Sequence, residues 1–177
     1  MGISIVIDCI RRQCLIAMVL LQLTLVGACV STTTERASQV TFTLEQAKQE
    51  VWQIEDELVT YLPASAIVKR WPRVETSKVL FKCEEPGRYN WPGAMQIGVA
   101  KGTDFTAIMH SIHDGWAGRS GWQVTWLADG PRAYHLDLLR DDGLHVAVMN
   151  LENDTVFQVN SFSPCFELTE YDPNKSY

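Results

Sequence analysis

The segment YHLDLLRDDGLHVAV, residues 134–148, decides the fold. Apolar and polar residues alternate on both sides of Asp141-Asp142-Gly143, which is typical of two antiparallel strands joined by a tight turn. A three-residue loop keeps both apolar sets on one face and places Gly143 where the backbone must be left-handed. A two-residue loop would set apolar residues of one strand opposite polar residues of the other. The predicted pairs are therefore Leu138 with Val146 and Leu136 with Val148.

Further strands are predicted on both sides of this hairpin. The alternating segments are residues 78–83, 95–99, 122–127 and 155–163. Val79, Phe81 and Cys83 are expected to share the inward face of the first segment. Trp122 and Trp126 are expected to share the inward face of the third. Short turns between consecutive strands imply antiparallel pairing.

Two amphipathic helices are also predicted. Thr43 and Gln46 have the spacing of a capping box, and apolar residues then recur at intervals of three and four, which predicts helix 44–62. Thr103-Asp104 can cap a second helix, whose apolar stripe begins at Phe105. The expected fold is α+β, with two helices packed on one curved, mainly antiparallel sheet in the order α-β-β-α-β-β-β-β.

Length and composition limit the class of protein. The chain has 177 residues, 46% of them hydrophobic and 10% aromatic, and a formal net charge of -6. This length suits a single domain, and the apolar content argues against disorder. The acidic balance argues against nucleic acid as a partner, because phosphates require a basic surface. No internal repeat indicates a solenoid.

The first thirty residues have the pattern of an export signal. Arg11 and Arg12 precede a mostly apolar run over residues 15–26. The run is too short for a membrane-spanning helix of about 20 residues, but it fits the apolar core of a signal peptide. It ends in Val26-Gly27-Ala28-Cys29, which is typical of a bacterial lipobox. Small residues there admit the peptidase, and the cysteine thiol takes a diacylglycerol.

This interpretation divides the chain into three parts. Residues 1–28 form a cleaved signal peptide, residues 29–40 a flexible tether with a lipid on Cys29, and residues 41–177 one α+β domain. The acidic domain is not expected to adhere to an anionic membrane surface, so the lipid supplies the membrane contact. The predicted location is the outer face of the cell membrane, within the cell envelope.

Cys83 and Cys165 are the two cysteines that this interpretation leaves unassigned. Cys9 and Cys14 belong to the signal peptide, and Cys29 takes the lipid. In an oxidising compartment the remaining pair is expected to form a disulfide. The alternatives are two free thiols or a metal pair, although zinc requires more ligands at short spacing.

These features together resemble the small envelope lipoproteins of mycobacteria and related actinobacteria, the LppA-like group. The resemblance covers most of the mature chain. It rests on Cys29, helix 44–62, Cys83 at the end of the first strand, Asp104-Phe105 at the start of the second helix, and Cys165-Phe166. It implies an envelope lipoprotein and no established catalytic activity.

Histidines provide the candidates for chemistry. His110 and His113 are three residues apart on the second helix, a spacing that can hold one metal, and Asp114 follows. A helical wheel places His113 at the flank of the apolar stripe and His110 on the far side, so a solvated helix face is the simpler interpretation. His135 and His145 fall on the outer face of the hairpin. Since no nucleophile or metal motif accompanies these residues, no catalytic residue, metal or cofactor is predicted.

Aromatic residues provide the candidate binding surface. The chain has six tryptophans. Trp71 precedes a proline, and the segment 87–93 contains Tyr89 and Trp91. Such side chains favour binding surfaces, but they also cover the ends of small cores. Trp71, Tyr89 and Trp91 are therefore the candidate binding surface, with structural packing as the alternative.

The sequence predicts a lipid-anchored extracytoplasmic binding or interaction lipoprotein of the bacterial cell envelope, without catalytic activity. Its expected partner is an envelope protein or a small ligand. One alternative is an envelope hydrolase or metal-dependent enzyme that uses His110 and His113. The other is an immunity-type lipoprotein that blocks an exported toxin.

Overall fold

The computed structural model describes residues 41–128, 134–151 and 154–177, all of which belong to one compact unit. The predicted signal peptide and the tether with Cys29 lie outside the described residues. Within the described ranges, no helix is long and apolar enough to cross a membrane.

In these ranges the chain forms two α-helices, one short 3-10 helix and nine strands. The helices are α1 (Leu44–Val59), the 3-10 helix Ala64–Ala66 and α2 (Phe105–Trp116). The strands are β1 (Ile67–Arg70), β2 (Phe81–Lys82), β3 (Arg88–Asn90), β4 (Pro92–Val99), β5 (Trp122–Ala128), β6 (Tyr134–Arg140), β7 (His145–Leu151), β8 (Val156–Phe162) and β9 (Phe166–Glu167). The α+β class with two helices and mainly antiparallel strands is confirmed. The predicted order lacked β1, β3 and β9.

The strands form two sheets, so the prediction of one curved sheet is wrong. A six-stranded sheet has the order β1-β4-β8-β7-β6-β5, and a three-stranded sheet has the order β2-β3-β9. All neighbouring strands in both sheets are antiparallel. The chain passes from one sheet to the other at Trp91. Trp91 is buried in one core, whereas Met95 and Ile97 on β4 are buried in the other.

The hairpin of β6 and β7 has the predicted register. Leu136 lies opposite Val148, and Leu138 lies opposite Val146. All four side chains are fully buried. Gly143 has a φ of 89°, so the loop has its left-handed residue at the predicted position.

Both helices begin where their capping residues predict. The Gln46 N–H donates to the Thr43 hydroxyl over 3.2 Å, and the Thr43 N–H donates to the Gln46 side chain over 2.9 Å. This is a complete capping box. The Asp104 carboxylate accepts from the Ala107 N–H over 3.0 Å at the start of α2. Helix α1 ends at Val59, three residues before the predicted end, and a turn continues to Leu62.

Two hydrophobic cores result from the two sheets. The first lies between α1, α2 and one face of the six-stranded sheet. The second lies between the N-terminal half of α1 and the three-stranded sheet; its buried members are Ala47, Val51, Leu80, Trp91, Phe166 and Tyr177. Helix α1 contributes to both cores, because Leu58 packs in the first and Val51 in the second.

The strand predicted at 78–83 has the opposite orientation. Val79 and Phe81 are 53% and 47% exposed, whereas Leu80 is buried in the second core. Only Phe81 and Lys82 form a strand there. A two-residue strand has no extended pairing to fix its register, so the fit of Leu80 into the core determines which side chains face inward.

Cys83 and Cys165 form the predicted disulfide, with their Cα atoms 6.4 Å apart. The bond joins the residue after β2 to the residue before β9. It therefore closes the three-stranded sheet covalently. Such a long closed loop restricts the unfolded chain and stabilises the domain.

Candidate binding surface

The six-stranded sheet has one face covered by helices and a second face, here called the outer face, that carries polar side chains. Residues of β5 to β8 alternate between the two faces because side chains in a strand do so. The outer-face residues of these strands are Gln123, Thr125, Leu127, His135, Asp137, Leu139, His145, Ala147, Met149, Leu151, Val156, Gln158, Asn160 and Phe162. The predicted outer position of His135 and His145 agrees with this register.

A carboxylate lies between two imidazoles on the outer face. Asp137 Oδ1 is 3.2 Å from Nε2 of His135 and 3.2 Å from Nε2 of His145. Asp137 lies opposite Ala147 on β7. Because Ala147 has no side chain beyond Cβ, the His145 imidazole can reach the carboxylate from the diagonal position on β7. His135 reaches it from two residues earlier on β6, on the same face.

Aromatic packing fixes the position of His145. Its ring lies parallel to that of Phe162, with an interplanar angle of 7° and centroids 5.9 Å apart. Phe162 in turn contacts Phe81 of β2 edge to face, at 5.4 Å. The three-stranded sheet thus supports one end of the outer face and holds the imidazole beside Asp137.

A cavity of about 370 Å³ lies next to this cluster. It is lined by Gln123, Thr125, Asp137, Leu139 and His145. Its size falls within the range of small-molecule sites. The lining offers a carboxylate acceptor, an amide and a hydroxyl that both donate and accept, an imidazole, and one apolar side chain. It contains no lysine or arginine. The lining therefore suits a neutral or cationic ligand better than an anion.

The predicted aromatic surface is not present as one patch. Trp91 is 0% exposed, and its indole N–H donates to the Tyr177 carbonyl over 3.2 Å. Its ring meets that of Trp52 edge to face at 6.2 Å. The assignment of Trp91 to a binding surface is therefore wrong, because the residue fills the second core.

Trp71 and Tyr89 are engaged with different neighbours. The ammonium of Lys69 lies 4.2 Å from the Trp71 ring centroid. Tyr89 lies in β3 and stacks on Tyr171 at 5.4 Å. Tyr171 also lines a second cavity of about 440 Å³, all of whose lining residues come from the segment 170–177.

The histidines of α2 pack against an aromatic ring. The rings of His110 and His113 lie 5.1 Å and 5.6 Å from the Trp126 ring. Trp126 is 36% exposed, so its predicted place in the core is wrong. His113 Nδ1 is 3.0 Å from Asp114 Oδ1. Across the described part of the chain, no three His, Cys, Asp or Glu side chains are grouped so that they could hold a metal.

Two buried charges on α1 were missed by the sequence analysis. Glu55 is 0% exposed; it accepts from the Ser161 hydroxyl over 2.8 Å and lies 3.2 Å from Nε of Arg73. Burial raises the pKa of the Glu55 carboxyl, and the Ser161 hydrogen bond and Arg73 oppose this rise. Lys48 is 5% exposed and donates to the Glu75 carbonyl over 2.9 Å. Both charges fasten the segment after β1 to α1, which is a structural role.

His135 and His145 were predicted to lie on the outer face of the hairpin, but no cavity was predicted there. The hairpin register could have located Leu139 on the same face, whereas Gln123 and Thr125 join the site only through the pairing of β5 with β6. No protein-family model, no curated protein and no solved structure matches this chain.

Proposed function

We propose that this chain is a lipid-anchored, non-catalytic binding lipoprotein of the bacterial cell envelope, related to the LppA-like group. Its ligand is a neutral, hydroxyl-rich molecule that binds in the cavity on the outer face. The observation that carries the proposal is the set of convergent polar groups around this cavity of about 370 Å³.

Two features support an extracytoplasmic location. The segment 15–29 has the apolar run and the Gly-Ala-Cys ending of a lipoprotein signal. The Cys83–Cys165 disulfide is of a kind that persists in oxidising compartments and is rare in the cytosol. A lipid on Cys29 with two or three acyl chains gives stable anchoring.

The chemistry of the lining supports a hydroxyl-rich ligand. Asp137 accepts hydrogen bonds from hydroxyl groups, and charge-assisted hydrogen bonds of this kind are among the strongest. Gln123 and Thr125 lie beside it on β5 and can both donate and accept. Leu139 is 43% exposed and offers an apolar contact for the C–H groups of a sugar ring. Envelope glycans supply ligands of this class.

Calorimetric titration with a soluble trimer of N-acetylglucosamine tests the proposal. The variants are Asp137→Asn and Gln123→Ala. Their matched controls are Asp141→Asn at the hairpin tip and Gln53→Ala on the exposed side of α1. Each cavity variant is expected to raise the Kd about tenfold, because one hydrogen bond to a charged or amide group contributes about 1.5 kcal/mol. Each control is expected to leave the Kd unchanged.

Two results would contradict the proposal. Absence of binding by the trimer, by its monomer and by unrelated neutral sugars would remove the ligand class. Equal affinity in the cavity variants and their controls would place binding elsewhere on the domain. In that second case, the cavity near Tyr171 would be the next site to mutate.

A further inference from the structure

The two edges of the six-stranded sheet differ in how they are protected. Strand β1 has four residues, and its register with β4 shifts between Ile67 and Lys69. It carries two positive charges, at Lys69 and Arg70, and Pro72 follows. Short length, a bulge, charge and proline are the devices by which proteins prevent a sheet edge from pairing with another chain.

Strand β5, at the opposite edge, has none of these devices. Its seven residues contain no charge and no proline, and they pair with β6 in an unbroken register. In this respect β5 resembles β7 and β8, which lie inside the sheet. Among the described strands, β5 pairs with β6 alone. Its composition is therefore that of an internal strand.

The backbone of β5 is oriented for further pairing. The Gly121 carbonyl accepts from the Asp141 N–H over 2.9 Å, so residues with odd numbers direct their backbone groups toward β6. Val124 consequently directs its N–H and C=O toward the edge. Gln123 and Thr125 form one side of the cavity, and no described strand lies beyond them.

We propose that β5 pairs antiparallel with β5 of a second copy of this chain. Full overlap of the seven residues sets Thr125 opposite Thr125 of the second copy. It also sets Gln123 opposite Leu127 of the second copy, on the outer face. The resulting sheet has twelve strands, and each copy supplies the missing side of the other's cavity.

Symmetry and side-chain composition favour a second copy as the occupant. Each chain has a formal net charge of -6, which opposes self-association, but β5 contains no charged residue and its pairing brings no like-charged side chains of the strand together. Two identical strands that pair antiparallel are related by a two-fold axis. Closed two-fold interfaces of this kind are the commonest in soluble oligomers. The exposed parts of Trp126 and Leu127, each 36% exposed, lie on this strand. The joining of the two cavities rests on the proposed function, whereas the strand pairing does not.

Disulfide trapping of the full chain tests the pairing. Opposed residues at a non-hydrogen-bonded position have Cα atoms about 4.5 Å apart, which a disulfide can bridge. Thr125→Cys is expected to convert most of the protein into a covalent dimer under mild oxidation, in detergent with micelles in large excess. Val68→Cys, on the β1 edge and 66% exposed, is the matched control. The unsubstituted chain controls for the native cysteines.

Sedimentation analysis provides a second readout that does not depend on oxidation. Thr125→Lys brings two like charges face to face and is expected to raise the dimer dissociation constant by about tenfold or more. Val68→Lys is expected to leave it unchanged. A similar thermal midpoint in all variants shows that they are folded.

Two outcomes would overturn the pairing. One is no more dimer with Thr125→Cys than with Val68→Cys. The other is an unsubstituted chain that stays monomeric up to about 100 µM, a concentration at which even weak specific pairs associate. Binding of the sugar trimer by a monomeric chain would then leave the proposed function intact. A dimer that binds no neutral sugar would contradict the proposed function alone.

Discussion

Replacement of Arg73 by methionine tests whether the buried Glu55 carboxylate depends on its partner. Arg73 Nε lies 3.2 Å from Glu55 Oε2, and the Glu55 side chain is fully buried. Methionine retains an apolar stem but removes the guanidinium. The hydrogen bond from Ser161 to Glu55 remains. The change also removes the contact of the guanidinium with the exposed Asp56 and its position over the Trp52 ring, so the double variant described below is needed to assign the loss to the ion pair.

The expected loss of stability follows from the burial. Removal of one partner of a buried ion pair costs about 3–5 kcal/mol, because the other charge stays in the interior. Arg73 is itself 24% exposed, which favours the lower end, about 3 kcal/mol. For a domain of this size, each kcal/mol lowers the Tm by about 4 °C, so the expected decrease is about 12 °C. The double variant Glu55→Gln/Arg73→Met retains neither charge of this pair and should recover most of the loss.

The loss should depend on pH. Burial raises the pKa of Glu55 above its usual value, so the folded state binds this proton more tightly than the unfolded state does. The corresponding stability is fully present below the unfolded pKa of about 4.3 and is lost as the pH rises through the folded pKa. Arg73 lowers the pKa of Glu55, and its removal raises that pKa further. The deficit of Arg73→Met should therefore be smaller at pH 5 than at pH 8.

Thermal and urea unfolding at pH 5, 6.5 and 8, with the disulfide intact, measure these differences. Arg70→Met, on the exposed strand β1, is the control for loss of one arginine. A deficit that is equal at all three pH values would refute the role of Glu55 ionisation. A double variant as unstable as Arg73→Met would show that the loss comes from packing instead.

Three further predictions concern the disulfide, a close backbone approach and the anchor. Cys165→Ser should lower the free energy of unfolding, measured in urea, by about 2–5 kcal/mol. A decrease that differs from the one caused by reducing the disulfide of the parent protein would contradict the assignment. Gly93→Ala should destabilise by about 2 kcal/mol because its Cβ would lie 2.6 Å from Ser161 Oγ, whereas Gly118→Ala, with no atom within 4 Å, should not. Cys29→Ala should move the protein from the membrane to the soluble fraction after cell lysis, and a variant that stays membrane-bound would disprove lipid anchoring.

Local signals explain which parts of the fold were predictable. The capping residues Thr43 and Asp104 bond backbone groups within three residues, so the sequence locates both helix starts. The hairpin register depends on the alternation of apolar residues around a short loop, which is also local. The predicted elements with long, regular patterns are therefore present in the structure.

The missed features depend on contacts between distant parts of the chain. Leu80 and Trp91 face a core that exists only because Phe166 returns to the same sheet late in the sequence. Glu55 can be buried because Ser161, 106 residues away, supplies a hydrogen bond. Neither the spacing nor the composition of the segments involved carries this information.

The use of aromatic residues follows from the difference in size between the two sheets. The strands of the smaller sheet have two or three residues, too few to bury much area with aliphatic side chains. Large aromatic residues, at about 150–250 Å² each, together with the disulfide, compensate for this. Trp91 is thereby committed to packing and is not available for a ligand. The larger sheet is stabilised by two helices on one face, so it can carry the His135, Asp137 and His145 cluster on the other without loss of its core. Binding is therefore expected on the larger sheet, whose strands have the smaller proportion of aromatic residues.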